Sequence, residues 1–416
     1  MTSQQRFLQT MGGNTGISPP KWEYAYWGGT LNRWYREGLP KKNPPTIPTA
    51  ATTITSSLYS YAWNYPSSLN QSEQLPEGLA VWGDATYWPT QGFPIDKDVH
   101  DYFGFDESVR LIDAEHVFYP QYESKIITEG DGFIIYKDMD GVTRKFLQKE
   151  SVIPSPIQWP IQCRKDWEQI KNERVCMDTI TKRLPQNWQD EVKIHRKRSY
   201  PLAVGGYPCG LFGLQAHLMG YEHLFLNYYD DPGLIHDMNS TFTDLWIALW
   251  EEILGQTSFD VLHIFEDMSS GLGSMVSPAI IREFMLPYYK RITSFLKSRG
   301  VNIILLDTDG NCEQLIPLFI EGGITGLYPM ETETGMDLLQ IRNNYPDLYM
   351  MGGIPKMEVA KGKKRIDEIL DVTERLLVSG NYIPFLDHSV PPHVSWEDFK
   401  YYREKLNSLI DRIEDL

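Results

Sequence analysis

The sequence predicts an α/β protein built as a single (β/α)8 TIM barrel, and three observations carry that expectation. From about residue 200 onward, short apolar runs alternate with amphipathic helical stretches. Those runs are apolar on both faces, as strands must be when helices cover both sides of a parallel sheet. No GxGxxG turn follows any of them, which argues against a doubly wound open sheet binding a dinucleotide.

The elements follow in order. At 416 residues the chain is long for one domain, but α/β barrels use this much, so 1–416 reads as one barrel domain. A first strand is expected near "KWEYAYW". Residues 41–98, rich in Pro, Ser and aromatic residues and poor in helical periodicity, read as an irregular N-terminal insertion. Next, "YESKIITEGDGFIIYKDMDGVTRKFLQ" alternates around the turns "EGDG" and "DMDG", which predicts a small three-stranded β-meander within 120–148. The remaining strands are expected in the 110–160 region and at "YPLAVGG", "FDVLHIFED", "VNIILLDTDG", "GITGLYPME", "LYMMGGIPK" and "NYIPFLDHS". Helical stretches such as "KRIDEILDVTERLLVSG" separate the later runs and stop at Gly.

Composition narrows the function. With 55 acidic against 39 basic residues the formal charge is −16, which disfavours a nucleic-acid backbone as partner. No apolar run reaches membrane length, the polar start does not read as a signal peptide, and the four cysteines show no zinc spacing. A cytoplasmic protein with reduced thiols is expected, acting on a small molecule and pairing with a second copy as a homodimer.

Barrel chemistry sits at the C-terminal strand ends. Read in order, those ends carry Glu266 and Asp267, Asp307 and Asp309, Tyr328 and Glu331, Lys356, and Asp387 and His388. Singly, each has a plain structural reading: a helix N-cap, a turn, a salt bridge or a satisfied core histidine. Asp307 is the exception, because it directly follows an apolar run and a buried carboxylate needs a cation, a metal or a proton. Together, oxygen and imidazole donors at this density can hold Zn²⁺, Mn²⁺ or Fe²⁺, and without a metal they can serve as acid and base. The expected ligands are Asp307, Asp309, Glu331 and His388, with Glu266, Asp387 and Lys356 as catalytic groups. Aromatic residues crowd 22–35 and recur at Tyr59, Tyr61, Trp63 and Tyr65. Tyr26, Trp27, Trp63, Tyr207 and Tyr328 are the expected substrate contacts, suited to a flat ring.

At "TLNRWYREGLP", "FEDMSSGLGSMVSP", "DTDGN", "GGIPK" and "DHSVPPHVSWEDF" the chain resembles the uroporphyrinogen decarboxylase superfamily. The resemblance implies an (α/β)8 barrel and either porphyrinogen decarboxylation or corrinoid-linked, zinc-dependent methyl transfer. The decarboxylases' Arg-rich N-terminal signature is replaced here by "WEYAYWGGTLNRW", with Arg33 its one arginine. In the methyltransferases a His-x-Cys pair and a late Cys hold zinc; Asp307-x-Asp309 and His388 stand at those positions here. A harder ligand set of this kind suits an ether oxygen. The resemblance therefore implies a methyltransferase taking a methyl group from a small, possibly aryl, O-methyl compound to cobalamin carried by a corrinoid protein, with zinc or another divalent transition metal as Lewis acid. A metal-independent decarboxylase or lyase, or an inactive binding protein, are the alternatives.

Overall fold

The computed structural model describes residues 1–46, 74–83, 94–147 and 154–415. Its centre is a parallel sheet. β1 is Ala25–Trp27, β2 Ala80–Trp82, β3 Arg110–Leu111, β4 Lys125–Gly130, β5 Phe133–Lys137, β6 Thr143–Leu147, β7 Ser155–Gln158 and β8 Leu202–Gly205. β9 is Val261–Phe265, β10 Ser269–Ser270, β11 Gly273–Ser274, β12 Ile303–Asp307, β13 Gly326–Tyr328, β14 Tyr349–Met351 and β15 Tyr382–Ile383.

Seven strands form one parallel sheet in the order β15-β14-β13-β12-β9-β8-β3. β1 takes the eighth position. Tyr26 bridges Val390 in parallel, beyond β15, while the backbone N–H of Asp106, ahead of β3, donates to the Lys21 carbonyl at 3.1 Å. The expected (β/α)8 order is therefore the observed one. Helices such as Gly213–Asp230, Pro232–Leu254, Lys363–Ser379 and Trp396–Arg412 cover the outside.

Alternation along the strands divides the core in two. Trp22, Tyr24, Val109, Ala203, Val261, Ile303, Leu305, Met351, Ile383 and Phe385 pack inside the barrel. Their neighbours Leu262, Ile264, Ile304 and Leu306 face the helices. This is the side-chain-filled interior that an eight-stranded barrel requires.

The meander is larger than expected. It has four antiparallel strands, β4-β5-β6-β7, because Ser155–Gln158 adds an edge beyond the expected boundary at 148. Much of the 41–98 insertion lies outside the described residues; its β2 pairs antiparallel with β1, outside the parallel sheet.

β1 is joined to the last helix by a buried ion pair. Glu23 and Arg403 are both fully buried, with Oε2 and Nη1 3.3 Å apart. The same carboxylate accepts the Leu386 N–H at 2.9 Å and the Tyr402 hydroxyl at 3.2 Å. Burial raises the Glu23 carboxyl, opposed by Arg403. Removing one partner of such a pair strands a charge. Arg403→Met is thus expected to cost about 3–5 kcal/mol, and Glu23→Gln combined with Arg403→Met less than that, as read from urea midpoints. Equal losses in the single and double variants would show that the pair itself contributes little.

Candidate functional site

The site grows out of the inward face of β12. Ile303, Leu305 and Asp307 sit opposite Val261, His263 and Phe265 of β9 in parallel register. Period-two alternation points Asp307 into the barrel mouth, and Asp309, two residues on, follows it. His263 meets Asp307 there, with Nε2 and Oδ2 3.0 Å apart. Burial lowers His263 to about 3, and burial followed by Asp309, Asp267 and Glu331 pushes Asp307 well above the ordinary carboxyl range. One proton is therefore shared inside this pair. Asp307, expected to ligate a metal, is partnered by a histidine instead; the cross-strand register decides this.

Asp309, Glu331 and His388 do converge. One ligand atom from each lies within 4.8 Å of the others, and His388 Nε2 is 3.6 Å from Asp309 Oδ2. Burial alone would lower His388, but the Asp309 hydrogen bond and charge outweigh it and raise its pKa. Glu331 is oriented by the Gly310 N–H, which donates to its Oε2 at 2.8 Å. Asp267 stands beside the three. Its carboxyl accepts the Asp309 N–H, and burial together with Asp309 and Glu331 pushes it up to about 7. Its backbone is left-handed, φ +42°, a conformation that non-glycine residues adopt mainly where surroundings enforce it.

A hairpin holds this loop down. β10 pairs antiparallel with β11, and the Ser270 carbonyl accepts the Asn311 N–H at 2.9 Å. Gly310 has φ +77°, and a Cβ there would lie 2.5 Å from the Ser270 nitrogen. Only glycine fits between the hairpin and the turn that carries Asp309.

The expected catalytic groups divide. Lys356 borders the three, its Nζ 3.1 Å from Glu333, 3.4 Å from Asp387 and 3.8 Å from Glu331. Asp387 is fully buried and accepts the Lys356 N–H at 3.0 Å and the Glu333 N–H at 3.3 Å. Burial raises it to about 6 against the pull of Lys356, so it braces Lys356 from behind. Glu266 is turned away from the mouth. It accepts the Leu211, Phe212 and Gly213 N–H groups at 2.8, 2.7 and 3.0 Å, and the Tyr289 hydroxyl. Glu266 is thus a helix anchor rather than the expected catalytic acid, because the start of helix Gly213–Asp230 has backbone donors to satisfy.

The aromatic expectations also divide. Tyr24 lies against the site, its ring 5.1 Å from His388, 5.5 Å from Tyr328 and 6.2 Å from Trp82. Tyr328 is buried in the barrel interior, below the mouth. Tyr26 packs outward on Trp34 and Phe399 and belongs to the helix-facing core, not to the mouth. Half-buried Trp27 directly precedes the helix Gly28–Glu37, and Trp63 lies outside the described residues.

Tyr207 ends in a buried network. Its hydroxyl is 2.6 Å from His217 Nδ1, and His217 Nε2 is 2.8 Å from Asp140 Oδ2. Arg144, a pure donor, reaches Nδ1 at 3.2 Å and pairs with Asp138 at 2.7 Å. Nδ1 is therefore the acceptor, and the Nε2–H points to Asp140. This network ties the turn between β5 and β6 to the barrel and fixes the Tyr207 ring edge-on to Phe265 at 4.8 Å. The sequence reading missed His263, His217 and the Arg144 network. The one available signal was His263 at an inward position, two residues after Val261.

The family model described as uroporphyrinogen decarboxylase (URO-D) matches residues 141–408. Among solved structures, a methyltransferase from Methanosarcina mazei is similar at 18% identity, with a TM-score of 0.46, over 64% of this chain and 76% of that one. No curated protein matches the chain.

Asp267 makes the electrostatics testable without a substrate. Its folded value of about 7 lies above its ordinary 3.8, so between those values the folded state holds a proton that the unfolded state has lost. Stability from this group is present below pH ~4 and is lost as pH rises to 7. Asp267→Asn keeps a residue that tolerates the left-handed backbone and removes the titration. In chelator, the variant should hold on the order of 1–3 kcal/mol more of its stability than wild type between pH 4 and 8. Parallel pH profiles of unfolding would refute the assignment.

Proposed function

The chain belongs to the uroporphyrinogen decarboxylase family, and from that premise we propose that it is a metal-dependent methyltransferase moving a methyl group from a small O-methyl compound, an aryl methyl ether, to a separate corrinoid protein. The observation that carries this reading is the convergence of Asp309, Glu331 and His388 beside a further carboxyl, Asp267, which burial and its acidic neighbours push up to about 7.

The residues fit a divalent ion. Two carboxylates and one imidazole make a donor set suited to Zn²⁺, Mn²⁺ or Fe²⁺ with positions left open. Donors ~2.1 Å from one ion stand roughly 3.4–4.2 Å apart. The 3.6 Å between Asp309 and His388 falls in that range, and the 4.8 Å limit on the set leaves little to close. When bound, such an ion supplies Lewis acidity toward an ether oxygen.

The chain's own residues do the rest. Asp309 and Glu331 bring negative charge, and Gly310 and Asp267 hold their carriers in place through the backbone bonds already described. Tyr24 and half-buried Trp82 offer a wall for a flat ring next to His388. Lys356 is the proton donor we assign to the departing oxygen: Asp387 and Glu333 outweigh its burial and keep the ammonium charged, 3.8 Å from Glu331. Tyr207, oriented by His217, borders the mouth as a substrate contact.

The test is direct. The purified chain should retain about one equivalent of transition metal per chain, and Asp309→Ala and His388→Ala should each release it. Mixed with reduced corrinoid protein and a methoxyarene, the wild-type chain should liberate the corresponding phenol. The two variants should lose more than the ~10–100-fold typical of removing a group that only supports a metal ligand. A metal-free protein that forms no phenol would sink this reading and leave the family's decarboxylase chemistry in its place.

A further inference from the structure

The charge at the barrel mouth bears on what can enter it, given the proposed function, in which the Asp309, Glu331 and His388 set faces the substrate. The carboxylates gathered there are Asp267, Asp307, Asp309, Glu331, Glu333 and Asp387. Among the described residues two cationic side chains are paired with them: His388, 3.6 Å from Asp309, and Lys356, held by Glu331, Glu333 and Asp387 at 3.1–3.8 Å. His263 is buried and already shares a proton with Asp307, so neither member of that pair brings charge to the mouth. A dication would balance Asp309 and Glu331. Glu333 and Asp387 would then still face a single ammonium, 3.1 and 3.4 Å away.

The insertion does not change the balance. Residues 43–96 contain Tyr, Trp and Phe but no Lys, Arg or His, so wherever they lie they bring aromatic surface and no positive charge. Outside the described residues, Lys149 is the only basic residue. Arg144, the guanidinium nearest Tyr207, is buried on Asp138 at 2.7 Å and has its positive charge balanced there.

We propose that the site selects against anionic substrates: the methyl donor carries no carboxylate, and the end of it that lies away from the methyl group is neutral or cationic. An acidic rim with one saturated lysine repels a carboxylate, and Tyr24 and Trp82 accept either an uncharged ring or, through their π faces, an ammonium. The repulsion is Coulombic and only partly screened at the mouth, so it is worth roughly a 5–10-fold difference in affinity at low salt.

Three ligands of one scaffold read the sign of this field: 4-methoxybenzoate, 4-methoxybenzamide and 4-methoxybenzylammonium. Calorimetric binding to the full chain, zinc-loaded and in chelator, should rank the ammonium at least equal to the amide and the benzoate roughly tenfold weaker. The gap should widen in chelator and shrink between ~0.05 M and ~0.5 M salt. Glu333→Gln removes the carboxylate nearest Lys356 and should narrow the gap between benzoate and amide binding several-fold. Benzoate binding as tightly as the amide at low salt, or no binding by any of the three, overturns the inference. Phenol formation is scored separately. Methyl transfer from the benzoate would sink this inference and leave the methyltransferase reading standing, whereas ranked binding without methyl transfer would do the reverse.

Discussion

A barrel exists only if its first strand meets its last, and here that closure falls to a short segment with few ladder bonds of its own. β1 contributes one parallel bridge toward Val390. What it lacks in backbone pairing, Glu23 supplies, because one carboxylate gathers the Leu386 N–H, the Tyr402 hydroxyl and the Arg403 guanidinium. A buried charge held this way gives direction more than stability, since its desolvation offsets much of the attraction. Its consequence reaches the mouth. With Glu23 turned outward to the last helix, its neighbour Tyr24 faces inward and lands beside His388.

The second organising fact is that parallel strands in register deliver their ends to one level. Asp307 sits beside Phe265 on one side and Tyr328 on the other, and the turns that follow bring Asp309, Glu331 and His388 to one place. So many acids in a partly desolvated space are unfavourable without compensation. Lys356 and His388 answer part of that demand, and the proton that Asp307 shares with His263 answers another part. The remainder is the physical reason to look for a cation.

Much of this was legible along the chain. Two acids spaced by two after the run "NIILL" had to share the inward face, and the alternation of runs and helices was enough for the fold. What failed to show depended on partners distant in sequence. Asp307 looked like a ligand because nothing local revealed His263, which needs the register of β9 against β12. Glu266 looked catalytic because the three N–H groups it accepts belong to a turn some fifty residues earlier. Tyr26 was expected at the mouth alongside Tyr24. The alternation slips between Tyr24 and Ala25, so that Ala25 joins the inner cluster and Tyr26 the outer one.

Gly310 has no chemistry of its own, yet it fills the narrow gap between the Ser269–Ser274 hairpin and the turn carrying Asp309. Its N–H also sets Glu331. The side chains at the mouth could therefore be exchanged for others of different chemistry while the gap, set by backbone on both sides, continues to demand a glycine.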